Sequence, residues 1–146
     1  MADLTSEQLA FLESKPAVAM ITVGDDGYAK PVRMGFAMLD GGLVATATED
    51  RTRTHRLRSD PRCTLYFNDD KYAYLAVETK VTIIDGEAGI EDSMRLVRHW
   101  QNQPEGPVTW FGATLQPDEF RQAMVDEKRI VFRFEVINAY GMLGMP

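Results

Sequence analysis

The stretch AVAMITVGDDGYAKPVRMGFAMLDGGLVATATEDRTRTHRLRSDPRCTLYF, residues 17–67, decides the fold through its punctuation. AVAMITV (17–23) is an unbroken apolar run rich in β-branched residues, which predicts a strand buried on both faces. Asp25-Asp26-Gly27 is hairpin chemistry. YAKPVRMGFAML (28–39) reads as the return strand, with Pro31 marking an irregular or edge position because it cannot donate to a ladder. Asp40-Gly41-Gly42 makes a second turn, and LVATAT (43–48) a third strand. The period then changes. Arg53, Leu57 and the polar residues between them suit a short helix over 51–60, ended at Asp60-Pro61, and RCTLYFN (62–68) resumes as a fourth strand.

Outward from this block the same logic continues. Thr5 or Ser6 can cap an N-terminal helix, Thr5-x-x-Gln8 fits a capping box, Leu9, Phe11 and Leu12 give it an apolar face, and Pro16 stops it. YAYLAVETKVTII (72–84) is a long fifth strand turned at Asp85-Gly86. Glu91 and Asp92 favour a helix start, and Met94, Leu96, Val97 and Trp100 follow at helical spacing. The loop 101–108 breaks that helix, and a second one starts after Pro117 with Phe120, Ala123 and Met124 inward. RIVFRFEVI (129–137) alternates strictly and closes the sheet. The expectation is one domain over 1–146, mainly β, a small antiparallel Greek-key-like barrel with helical decoration.

Charge narrows the function classes. A net charge of −6 opposes bulk nucleic-acid binding, yet residues 51–62 hold five arginines and a histidine. A positive cluster on an acidic chain points to a small anionic ligand. No apolar run is long enough to span a membrane, the N-terminus lacks the pattern of a secretory signal, and the single Cys63 cannot form an internal disulfide. These features predict a cytoplasmic protein in which Cys63 is buried filler.

The search for protein-borne chemistry finds little. His55 and His99 are far apart, no metal-ligand spacing occurs, and neither a nucleophile elbow, a Walker loop nor a Gly-x-Gly-x-x-Gly is present, so no catalytic or metal residue is assigned. An enzyme built this way would take its chemistry from a cofactor. The segment TATEDRTRTHRLRSDPR (46–62) offers a place for one. Thr46 and Thr48 leave a strand, and a basic helix begins beside Arg53, so a phosphate there would gain hydroxyls, guanidinium forks and helix-start amides. A solvated basic helix paired with the chain's many acids is the competing reading.

Residues 17–67 resemble the flavin-binding split-barrel superfamily of pyridoxamine 5′-phosphate oxidase: strand, Asp-Gly turn, proline-bearing strand, short apolar strand, basic loop and helix closing on Asp-Pro-Arg. The resemblance extends over residues 4–86 and more loosely to Tyr140-Gly141. It implies a flavin or deazaflavin cofactor whose phosphate is held by Thr46 and by the Arg-Lys position that falls on Thr52 and Arg53, with Arg51 and His55 flanking. The family's ring-contacting strand falls on Pro31, Val32, Arg33 and Met34. A glycine usual on the fifth strand is Thr79 or Lys80 here. The tail NAYGMLGMP lacks the arginine motif of the oxidases that make pyridoxal phosphate. The resemblance is therefore to reductases that use reduced coenzyme F-420 to pass a hydride to small unsaturated or cyclic acceptors. Flavin mononucleotide (FMN) is the alternative cofactor, and a non-catalytic cofactor-binding protein the alternative role.

The resemblance also implies a homodimer with the cofactor between the barrels. The apolar strands 17–23 and 130–136 add to this, because one small chain should not be able to cover both. Trp100, Trp110 and Phe111 are expected to pack, His99 to sit at the surface, and Tyr66, Tyr72 and Tyr74 to pair across strands.

Overall fold

The structure is a computed structural model and describes residues 3–144. Helix α1 (Ser6–Glu13) is held by the expected capping box, in which Thr5 Oγ1 accepts from the Gln8 amide while the Gln8 side chain accepts from the Thr5 amide. Strands β1 (Val18–Val23), β2 (Ala29–Met34), β3 (Ala37–Leu39) and β4 (Gly42–Thr48) follow, then α2 (Thr52–Ser59), β5 (Arg62–Asn68) and β6 (Tyr74–Ile84). Helix α3 (Gly86–Gln101), the hairpin β7 (Val108–Trp110) and β8 (Ala113–Leu115), and α4 (Pro117–Asp126) intervene before β9 (Arg129–Met142). Seven strands form one antiparallel sheet in the order β2-β1-β5-β6-β9-β4-β3. The fold is a split barrel: the sheet curls but does not close.

The stretch 28–39, expected as one strand, is two, and they lie at opposite edges of the sheet. Only Gly35 and Phe36 separate them. Three peptide units span at most about 11 Å, so both edges must converge. Leu43, Ala45 and Ala47 of β4, Met20, Leu65, Phe67, Leu75, Val77, Phe132 and Phe134 fill the interior, and Leu57 of α2 reaches the same cluster.

Other boundaries shift for identifiable reasons. Strand β1 buries Val18, Met20 and Thr22, whereas Val23 is exposed and Ala19 and Ile21 are half-buried, so it is covered on one face rather than two. Over 130–136 the inner face is buried, and on the outer face α3 lays Leu96 over Val131, Ala37 and Val44 while Arg133 and Glu135 stay exposed. The outer face of 130–136 therefore leaves no apolar patch for a second copy to cover. Helix α3 starts at Gly86, not near Glu91, and β9 runs on to Met142. The hairpin β7–β8 lies where the sequence suggests only a loop and a helix start. Its turn residues Phe111 and Gly112 both have positive φ, +46° and +80°, the geometry that Asn-Gly usually signals, and Phe-Gly hides it. Phe111 consequently stands 82% exposed instead of packed. Tyr72 lies outside the strands and exposed, while Tyr66 and Tyr74 stack at 5.9 Å. No helix among the described residues is long and apolar enough to cross a membrane.

Two expectations test the packing. A Cβ on Gly89 of α3 would stand 2.5 Å from the Ile84 carbonyl oxygen. Alanine in place of a helical glycine ordinarily stabilises, but Gly89→Ala should cost about 1–3 kcal/mol by overpacking. A calorimetric melting temperature below wild type checks this, and a higher one contradicts it. Cys63 is 4% exposed, and burial pushes its thiol up to about 12. It should therefore stay a protonated thiol at pH 9 and resist iodoacetamide until the chain is unfolded in urea. Rapid labelling of the native protein would refute that.

Candidate functional site

At one end of the barrel β1 finishes, β2 begins, β4 finishes and β5 begins, because α2 must bridge β4 to β5 there. The joint between β4 and α2 is locked by Thr54, fully buried, whose hydroxyl donates to the Thr48 carbonyl at 2.8 Å. On the far side of α2, Arg56 donates to the buried Thr22 hydroxyl at 3.0 Å. These two bonds fix the rotation of the helix. Nothing in the sequence pattern singles out Thr54 or Arg56.

That rotation sets what the start of α2 presents. Arg51 occupies the N-cap position, no side chain caps the first turn, and no acid lies within it. By contrast, Thr5 caps α1, and at the head of α4 the Gln116 amide donates to the Glu119 carboxylate. Arg53 is half-buried, its Nε is buried without a hydrogen-bond partner, and Thr48 Oγ1 is orphaned in the same way. Burial first, then the charges of Arg51 and Arg129, push the Arg53 guanidinium below its ordinary pKa. Among the described residues Arg53 makes no ion pair, whereas Arg58 and Arg62 are claimed by Glu49 and Asp60. Orphaned buried donors cost stability unless something accepts from them. A phosphate, with several acceptor oxygens and negative charge, fits both atoms. A cavity of about 450 Å³ opens beside Thr48, lined also by Arg51, Lys128 and Arg129 and by Asp50, Asp126 and Glu127; Arg53 is not part of this lining.

The remaining sequence candidates are placed as follows. Thr46 is half-buried and its hydroxyl donates to the Ile130 carbonyl at 3.5 Å, so it is already partnered, if weakly. Thr52 and His55 are exposed on α2. Pro31 and Arg33 are exposed on β2, Val32 is half-buried and Met34 buried. β2 is an edge strand paired only with β1, and from Ala45 onward β4 pairs only with β9. The seam of the barrel therefore runs between the free edge of β2 and that of β4, with the head of α2 at its end. Thr79, the departure from the family's glycine, points inward and donates to the Cys63 carbonyl at 2.7 Å. A larger cavity, about 610 Å³, lies beside Ile21, Thr64 and the end of α2, and shares no residue with the first. Its lining includes no orphaned buried atom, whereas that of the smaller cavity includes Thr48 Oγ1.

Arg129 is the residue the sequence left out. It opens β9 and is the Cα partner of Thr48, a pairing between distant segments that no local pattern announces. Among the described residues no group of three or more His, Cys, Asp or Glu could hold a metal ion.

Solved structures share this architecture. A conserved hypothetical protein of Mycobacterium tuberculosis matches with a TM-score of 0.72 at 19% identity, over 99% of this chain and 90% of that one. An F420 reductase matches with a TM-score of 0.62 at 20% identity, over 90% and 94%. A FAD-binding protein from Mesorhizobium loti matches with a TM-score of 0.63 at 13% identity, over 94% of each chain. At these identities the likeness is one of fold. The family model for pyridoxamine 5′-phosphate oxidase matches residues 4–141, nearly the whole sequence, and the chain belongs to that family.

Proposed function

We propose that the protein is an oxidoreductase that binds reduced coenzyme F-420 and transfers a hydride to a small unsaturated or cyclic organic acceptor. The observation that carries this reading is the pair of orphaned buried donors, Arg53 Nε and Thr48 Oγ1, at the uncapped head of α2. Arg53 and Thr48 would hold the phosphate, Arg51 would neutralise it from the rim, and the backbone of Pro31–Met34 would lie along the ring. Bound there, reduced F-420 would supply a hydride to an unsaturated bond, with a solvent proton completing the reduction. The similarity to an F420 reductase favours this cofactor. The FAD-binding neighbour favours a second reading, in which FMN occupies the same seat.

Arg53→Ala should weaken cofactor binding by about 1.5–3 kcal/mol, roughly ten- to a hundredfold. Arg53→Lys should retain part of the affinity, since charge survives and the planar fork is lost. Calorimetric titration with F-420 and with FMN measures both effects and ranks the cofactors. Equal affinities for all three proteins would sink the assignment of Arg53.

A homodimer belongs to the same proposal. In register across the outer sheet face run Ala19, Tyr66, Ala76 and Tyr140, from β1 to β9. Tyr66 and Tyr140 are exposed, as is Met142 two residues further on. Within this row Ala76 is buried and Ala19 half-buried, and a second copy would cover the two exposed rings. Light scattering at micromolar concentration should give twice the 16.5 kDa chain mass, and Tyr66→Glu with Tyr140→Glu should shift it toward the monomer. A monomeric wild type would contradict the dimer.

A further inference from the structure

Between α4 and β9 the chain makes a sharp turn through Lys128, whose φ is +56°. The Lys128 carbonyl accepts from the Glu49 amide at 2.9 Å, which stitches this turn to the loop leading into α2. Arg129 follows at once. Its Nε and Nη2 donate to a single oxygen of Glu127, Oε1, at 3.0 and 2.9 Å. The other oxygen, Oε2, accepts from Trp110 Nε1 at 2.9 Å. The guanidinium carbon sits 5.0 Å from the Trp110 ring centroid, and Trp110 packs edge-on against the fully buried Phe120 at 5.6 Å. The Arg129 side chain is only 16% exposed. Held on one flank by Glu127 and on one face by Trp110, it keeps Nη1 without a hydrogen-bond partner among the described residues.

We propose that Arg129 is a third guanidinium of the anion seat at the head of α2, and that Glu127 and Trp110 are its positioning residues. The inference rests on the reading that this seat takes a cofactor phosphate. It gives the insert between β6 and β9 a part in binding, because α4 and the β7–β8 hairpin present Glu127 and Trp110. Charge supports the assignment. Arg129 lies close enough to Arg53 for the two cations to disfavour each other, and Glu127 offsets only Arg129. An anion lodged between the two cations relieves that repulsion. Glu127 lines the same cavity, but Oε1 is engaged by Arg129 and Oε2 by Trp110, so it holds the guanidinium in one geometry. If instead Glu127, Trp110 and Arg129 only staple the insert to the sheet, their loss would lower stability and leave ligand affinity alone.

The test is a double-mutant cycle on the full chain, titrated with whichever of F-420 and FMN wild type binds more tightly. Arg53→Ala serves as the reference, and melting temperatures are recorded for every variant. Arg129→Ala should weaken binding about tenfold, with Arg129→Lys recovering part of it. Glu127→Gln and Trp110→Phe should each weaken binding several-fold in the wild-type background and have no further effect beside Arg129→Ala. If Arg53→Ala weakens binding while every Arg129 and Glu127 variant binds as wild type, the third guanidinium is overturned and the phosphate seat stands. If Arg53→Ala also binds as wild type, or if neither cofactor binds, the seat itself falls. If Glu127→Gln weakens binding equally with and without Arg129, Glu127 is not acting through it and the positioning role is overturned. Should Arg129→Ala fail to fold, unchanged affinity in both Arg129→Lys and Glu127→Gln overturns the proposal.

Discussion

Two residues, Gly35 and Phe36, carry the chain from one edge of the seven-stranded sheet to the other. A span so short forces the edges together, and everything that makes the site follows from that. The edges meet without sharing a ladder, so the barrel keeps a seam flanked by unpaired backbone. Trp100 of α3 guards the crossing: its indole nitrogen donates to the Phe36 carbonyl at 2.7 Å and its ring lies against Gly35, where a Cβ would come within 3.1 Å. A bulkier residue at Gly35 would have to move Trp100, and α3 with it. The crossing, the seam and the insert are therefore one mechanical unit.

The electrostatics at the end of the seam run against the rest of the molecule. The chain has a net charge of −6, and several arginines elsewhere pair with acids, as Arg95 does with Asp40 and Arg121 with Glu91. Arg53 does not. It sits half-buried beside two other guanidiniums with one nitrogen unpaired. Thr54 and Arg56 use their own hydrogen bonds to hold α2 in place, and neither bond engages the Arg53 or Thr48 side chain. A fully solvated basic helix would leave no buried donor without a partner, so the orphaned atoms at Thr48 and Arg53 favour the anion-binding reading.

Much of the fold was legible because its signals are local. The capping box at Thr5 and Gln8, the Asp60-Pro61 stop and the alternation from Ile130 to Val136 each act within a few residues. The crossing was not legible: the run 28–39 has uniform strand character, and nothing local says that its two halves pair with different partners. The β7–β8 hairpin hid behind a Phe-Gly turn. At the site, the segment from Thr46 to His55 was visible as charge pattern, but the structure distributes its members unequally. Thr48 Oγ1 and Arg53 Nε are buried without partners, whereas Thr52 and His55 face solvent. Arg129 could not be found without the β4–β9 register, and Glu127 and Trp110 matter only once Arg129 is placed.

A ligand phosphate anchored at the head of α2 is the premise of the proposed function. The direct measurement compares wild-type affinity for FMN with that for riboflavin, and for F-420 with that for its phosphate-free deazaflavin fragment. Two or more charge-assisted hydrogen bonds to the phosphate predict that the better-bound member of each pair is the phosphorylated one, by about tenfold or more. That margin should shrink as ionic strength rises. Equal affinity with and without the phosphate would contradict the account.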